Sequence, residues 1–129
     1  ELQVINVGGV PDDLAVEAVA LHVTTVNPTA PFSWLSVWPK GQVAQTTAVH
    51  NFGTASATTE LSNDLVIAKV GANGAINISN EFGTADVVID VVGYFIESSP
   101  NGYHGQDPSR ILDTRNSIEG DFESHPRGD

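Results

Sequence analysis

Cysteine and methionine are both absent from the 129 residues. Without cysteine there is no disulfide framework, no thiolate metal site and no cysteine nucleophile. Without methionine, a chain starting at Glu1 reads as a processed or excised piece rather than an intact translation product. Basic residues are scarce: Lys40, Lys69, Arg110, Arg115 and Arg127 stand against sixteen acidic ones, for a formal net charge of −11. Such a chain repels phosphate backbones and anionic membranes, so nucleic acid is not an expected partner. No apolar run approaches the roughly 20 residues a membrane-spanning helix requires, so no membrane insertion is expected. No signal peptide stands at the start of the sequence.

Enzyme signatures are missing too. There is no G-x-S-x-G elbow, no G-x-G-x-x-G loop and no P-loop, and the four histidines, His22, His50, His104 and His125, show no ligand spacing. No enzymatic activity and no cofactor are expected. Asp12-Asp13, or Asp107 with Asp113 and Asp121, offer oxygen ligands that calcium favours, but a solvated acidic surface accounts for them equally well.

What is present is apolar content in a strand-like arrangement. Hydrophobic residues make up 40% of the chain, enough for a core, with abundant Val and Thr and charged residues held to 16%. That balance suits a secreted β-protein. Period-two alternation recurs and a 3.6 period does not. Strands are predicted at Leu2–Val7, at Ala18–Thr24 ending before Asn27-Pro28, and at Trp34–Trp38 ending at Pro39. Weaker candidates are Thr46–Phe52 and Ala57–Leu61. Leu65–Val70 and Ala75–Asn80 flank Gly71-Ala72-Asn73-Gly74, which predicts a tight hairpin, because Asn-Gly supplies the positive φ angles such a turn needs. The strongest strand is Asp86–Ile96, with Val87, Ile89 and Val91 on one face and Val88, Val92 and Tyr94 on the other. Gly93 inside it predicts a bulge or a close backbone approach. Short strands near ten-residue spacing, punctuated by Gly and Pro, predict an all-β sandwich of jelly-roll type. After Ile96 the segment Glu97–Gly102 reads as a linker, so the expected division is a sandwich over 1–97 and a linker with C-terminal segment over 98–129.

Several landmarks together resemble a known module. Pro108-Ser109-Arg110-Ile111-Leu112-Asp113-Thr114-Arg115, Gly9-Val10-Pro11, Asn27-Pro28-Thr29, Gly71 to Gly74 and Asp90-Val91-Val92-Gly93-Tyr94-Phe95 are similar to those of a β-rich tandem module in secreted and cell-surface bacterial proteins, notably actinobacterial ones. The resemblance implies extracellular placement and modular β-structure, not a reaction. In that module the L-D-T-R segment comes first and D-V-V-G-Y-F last. Here L-D-T-R follows D-V-V-G-Y-F, so the chain is circularly shifted by one segment. From this shift follows the expectation that residues 98–129 complete the sandwich of the next unit. The units are either repeats of one covalent array or separate chains joined head to tail into a homopolymer.

The residues expected to carry assembly are Arg110, Ile111, Leu112, Asp113 and Arg115 on the donated segment, with Asp90, Tyr94 and Phe95 at the accepting surface. Asp90, in the most apolar strand, is expected either to pair with Arg110 or Arg115 or to sit partly exposed on an outer sheet face. Asp113 and Arg115 share a strand face, so a clamp between them competes for the same arginine. Trp34 and Trp38 share a face with Ser36 and are readable as a sugar-stacking platform or as residues buried against a loop or the next repeat. The expected function is a structural subunit of an extracellular filament or cell-surface assembly. The rival is a carbohydrate- or cell-wall-binding module, with glycans as partners. Asn77-Ile78-Ser79 and Arg127-Gly128-Asp129 match short motifs for glycosylation and cell adhesion, for which chance suffices.

Overall fold

The protein, seen in a computed structural model, is an all-β sandwich; the structure describes residues 1–12, 15–55, 61–97, 102–115 and 118–119. The strands are β1 (Leu2–Gln3), β2 (Val16–Val26), β3 (Ser33–Pro39), β4 (His50–Phe52), β5 (Leu61–Lys69), β6 (Ala75–Asn80), β7 (Asp86–Ile96), β8 (Tyr103–Asp113) and β9 (Ile118–Glu119). They form a four-stranded sheet in the order β1-β6-β3-β4 and a five-stranded sheet in the order β5-β2-β7-β8-β9, every pair antiparallel. No helix of the described residues is long and apolar enough to cross a membrane.

Alternation decides which face of each strand is inside. In β2, Val19, Leu21, Val23 and Thr25 are buried while His22 and Thr24 on the opposite face are only partly covered. The strand ends where Asn27 takes a left-handed φ of 54° and Pro28 withholds a donor. Leu2, Val4, Leu35 and Ile76 from one sheet meet Leu21, Ile89, Val91 and Ile111 from the other, all fully enclosed. Each such side chain contributes about 1.5–3 kcal/mol through burial.

Two local expectations are corrected. The Leu2–Val7 strand shortens to Leu2–Gln3, because Asn6 adopts a left-handed φ of 61° and turns the chain. Of Thr46–Phe52 only His50–Phe52 is a strand, and the Ala57–Leu61 candidate falls mostly outside the described residues.

The third correction concerns Gly71–Gly74. Asn73 and Gly74 do have positive φ angles of 57° and 73°, but no hairpin results. β5 pairs with β2 in one sheet, while β6 pairs with β3 and β1 in the other. The Asn-Gly turn carries the chain across the sandwich, in a short 3₁₀ turn over Ala72–Gly74. Backbone bonds from Ala72 N–H to the Lys40 carbonyl and from Lys40 N–H to the Ala75 carbonyl hold it against the end of β3. A turn with the right φ angles fixes a change of direction, not which sheet receives the outgoing strand.

Candidate functional site

The residues singled out for assembly converge on the seam between β7 and β8. Within one chain Tyr103–Asp113 pairs with β7 of the same sandwich, so the described part of 98–129 belongs to the same β-layer as β2 and β7. Opposed pairs along the seam are Phe95 with Tyr103, Tyr94 with His104, Gly93 with Gly105, Asp90 with Arg110 and Ile89 with Leu112. All three residues expected at the accepting surface, Asp90, Tyr94 and Phe95, therefore lie on the strand that receives β8.

A bulge sets which way these side chains point. Opposite β2 the register steps from Leu21–Val91 to Ala20–Gly93, leaving Val92 as the extra residue. Tyr94 thereby moves to the core side, opposite Val19 and packed on the core, instead of sharing a face with Val88. Its ring stacks on His104 with centroids 5.4 Å apart. Gly93 sits under the Tyr103 ring, and any side chain there would run into that ring. The Tyr103 hydroxyl donates to the Val92 carbonyl at 3.2 Å, and its ring packs on Phe95 at 5.1 Å.

Both arginine pairings proposed from the sequence exist together. Arg110 Nε donates to Asp90 Oδ1 at 3.0 Å on the outer face of the five-stranded sheet. Arg115 grips Asp113 through Nε at 3.0 Å and Nη2 at 2.9 Å, and its backbone N–H adds a third bond at 3.1 Å. Arg110 Nη1 also lies 3.5 Å from Asp113 Oδ2, so the buried Asp113 faces two guanidiniums. The hydrogen bond that Arg110 donates to Asp90 holds its pKa above the ordinary value, and those that Arg115 donates to Asp113 do the same for Arg115. Ile111 and Leu112, between these charges, are both in the core. Gln106, on the same strand, donates through Nε2 to the Gly8 carbonyl at 2.5 Å. Gly8 also lies beside Ser109 and Ile111, so the stretch that leads into G-V-P meets β8 in space despite standing at the opposite end of the sequence.

The tryptophans do not form a single platform. Trp34, Ser36 and Trp38 face outward, across from Asn51, Ser79 and Asn77. Trp34 packs edge-on to Phe82 at 5.5 Å and lines a cleft of about 460 Å³ with Pro31, Phe32, Asn51 and Phe52. Its indole N–H is buried without an acceptor among the described residues. Trp38 lines a second cleft beside Lys40, Gln42 and Lys69.

An array that sequence reasoning missed joins the two sheets, with Thr25 and His50 buried and Asp64 at its exposed end. His50 Nε2 lies 2.9 Å from Thr25 Oγ1, and His50 Nδ1 lies 2.7 Å from Asp64 Oδ2. The connectivity is that of a hydroxyl–imidazole–carboxylate triad. Thr25 and His50 are each only 1% exposed, and neither tryptophan-lined cleft includes them. The array works as a tie: β4 belongs to one sheet, β2 and β5 to the other. The three residues are far apart in sequence, and no local spacing marks them.

No group of three or more His, Asp or Glu among the described residues is placed to hold a metal. Of the carboxylates considered for calcium, Asp113 is taken up by the two arginines, while Asp13 and Asp121 lie outside the described residues, as do His125 and Arg127-Gly128-Asp129. Comparison of the chain with protein-family models, with curated proteins and with solved structures finds no match.

Proposed function

We propose that the protein is a structural unit of an extracellular, cell-surface bacterial assembly, joined head to tail by exchange of its C-terminal strand. The observation that carries this reading is the position of β8. It supplies Ile111 and Leu112 to the core and Arg110 to Asp90, and its covalent link to β7 is the polar sequence 97–102. Opening that connection lets β8 make the same contacts with the β7 of the next copy. Each copy then gives one strand and receives one, a heterologous contact that propagates as a filament. Units of a covalent tandem array would use the same seam.

Negative-stain electron microscopy of native material, paired with denaturing electrophoresis, tests this. Filaments that dissolve into single-chain bands support strand exchange, and a ladder supports a covalent array. Monomers without polymer under all conditions overturn both.

One observation favours a second reading, a carbohydrate- or cell-wall-binding module. The cleft beside Trp34 offers an aromatic ring and the Asn51 side chain to one ligand. Sugar rings stack on such faces while their hydroxyls accept and donate hydrogen bonds. Quenching or a blue shift of tryptophan fluorescence on adding cell-wall polysaccharide, lost in Trp34→Ala, would support it.

A further inference from the structure

Sheet edges show their backbone donors and acceptors to any passing strand, and proteins ordinarily guard them with short strands, prolines, bulges or charge. Here most edges are guarded. β1 and β9 are two residues long and β4 is three. The stretch of β8 that β9 does not cover carries Asp107, Pro108 and Arg110, and its register against β7 breaks twice. β5 is the exception. It runs from Leu61 to Lys69 at the open end of the five-stranded sheet, without proline, and pairs with β2 in unbroken register throughout.

The outer face of that edge is also apolar. Leu65 is 64% exposed and Ile67 54%, while Val66 and Ala68 between and beyond them point into the core. Leu65 stands opposite His22, and Ile67 stands opposite the buried Ala20.

We propose that β5 is the lateral contact of this protein, pairing antiparallel with β5 of a second copy about a two-fold axis through Val66. The spacing of the residues selects a second copy as the occupant. Opposed residues of an antiparallel pair share a face, so only registers that set outward residues against outward ones are allowed. With Val66 opposite its own counterpart, Leu65 meets Ile67 of the other copy on both sides of the axis, and four exposed apolar side chains close on one another. In the same register Lys69 meets Asn63 and Asp64 meets Ala68, so no like charges face each other although the chain as a whole carries −11. The contact is isologous and closes at two copies. It lies at the edge of the sheet, with β2 between it and the β7–β8 seam, and uses neither β7 nor β8, so each copy has room for both.

The absence of cysteine makes the register directly testable. Leu65→Cys/Ile67→Cys, oxidised mildly in the full-length chain, should give a non-reducing band at twice the 13.6 kDa of one chain. Asn51→Cys, exposed on the other sheet, reports random collision and should give far less. In parallel, Ile67→Lys, which alters only the exposed face, should halve the mass measured by light scattering. Cross-linking no greater than that of Asn51→Cys, or a mass unmoved by Ile67→Lys, overturns the proposal. Strand exchange through β8 cannot produce the cross-link, so failure of one contact leaves the other intact.

Discussion

Thr25 Oγ1 and His50 Nε2 meet 2.9 Å apart across the two layers of the sandwich, and the other ring nitrogen of His50 reaches Asp64 at 2.7 Å. The imidazole therefore bridges two strands of one sheet from its place in the other. Removing it leaves the fully buried Thr25 hydroxyl without its partner and opens a hole beside Phe52, which stacks on the ring at 5.7 Å. His50→Ala should cost about 2–4 kcal/mol, the sum expected for an orphaned buried hydroxyl and a partly relaxed cavity. Urea denaturation measures it, and Thr25→Val in the same background should recover part of the loss.

The two arginine pairs should behave unequally. Asp113 is buried and receives three hydrogen bonds from Arg115, so Asp113→Ala should destabilise by about 1.5–3 kcal/mol. Arg110→Ala removes a pair on an exposed face and should have a smaller, salt-sensitive effect. Both guanidinium pKa values are raised by their carboxylate partners. A raised pKa means a contribution fully present below the ordinary arginine value and lost only as pH climbs beyond it. Stability measured from neutral pH to about 11 should show no step from these arginines.

Gly93 is a packing requirement. Gly93→Ala places a methyl group against the Tyr103 ring and should destabilise by about 1–3 kcal/mol. Tyr103→Ala removes the obstacle, so the double variant should lose less than the sum of the two singles. A strictly additive cycle would mean that the ring yields at no cost.

Truncation after Ser99 should abolish head-to-tail assembly and increase dye binding to the remaining domain, because β7 loses its neighbour and Ile89 and Val91 lose Leu112 and Ile111 from their surroundings. Adding a peptide spanning residues 102–115 should reverse the dye binding. Assembly that survived the truncation would remove β8 from the contact.

How much of this could be read from the residues depended on how far apart the partners stood. The alternation of Val19, Leu21 and Val23, and of Val87, Ile89 and Val91, was enough to place the two central strands of the larger sheet. Asp90 in an apolar strand announced a need for a counter-charge, and the scarcity of arginines narrowed the choice to two. Gly93 announced its bulge, but not that the bulge would turn Tyr94 inward. The Gly71–Gly74 turn was visible with its φ angles, and its direction was not, because pairing with β2 or β3 is decided by core contacts far away in sequence. His50 gave no sign of its role: a histidine inside the weak Thr46–Phe52 strand candidate becomes a tie only once three distant strands come together.

The connection between β7 and β8 has a kinetic consequence. Because β8 follows β7 in the chain, β7 is complete before the strand that covers it has been made. Once made, β8 is tethered to its own β7 by residues 97–102, which gives it an effective concentration on the order of millimolar at that edge. A neighbour's strand competes only where copies are crowded to a similar degree, as on a growing filament tip or among chains released side by side. Polymer growth should therefore be steeply dependent on local crowding, and a chain folding alone should close upon itself.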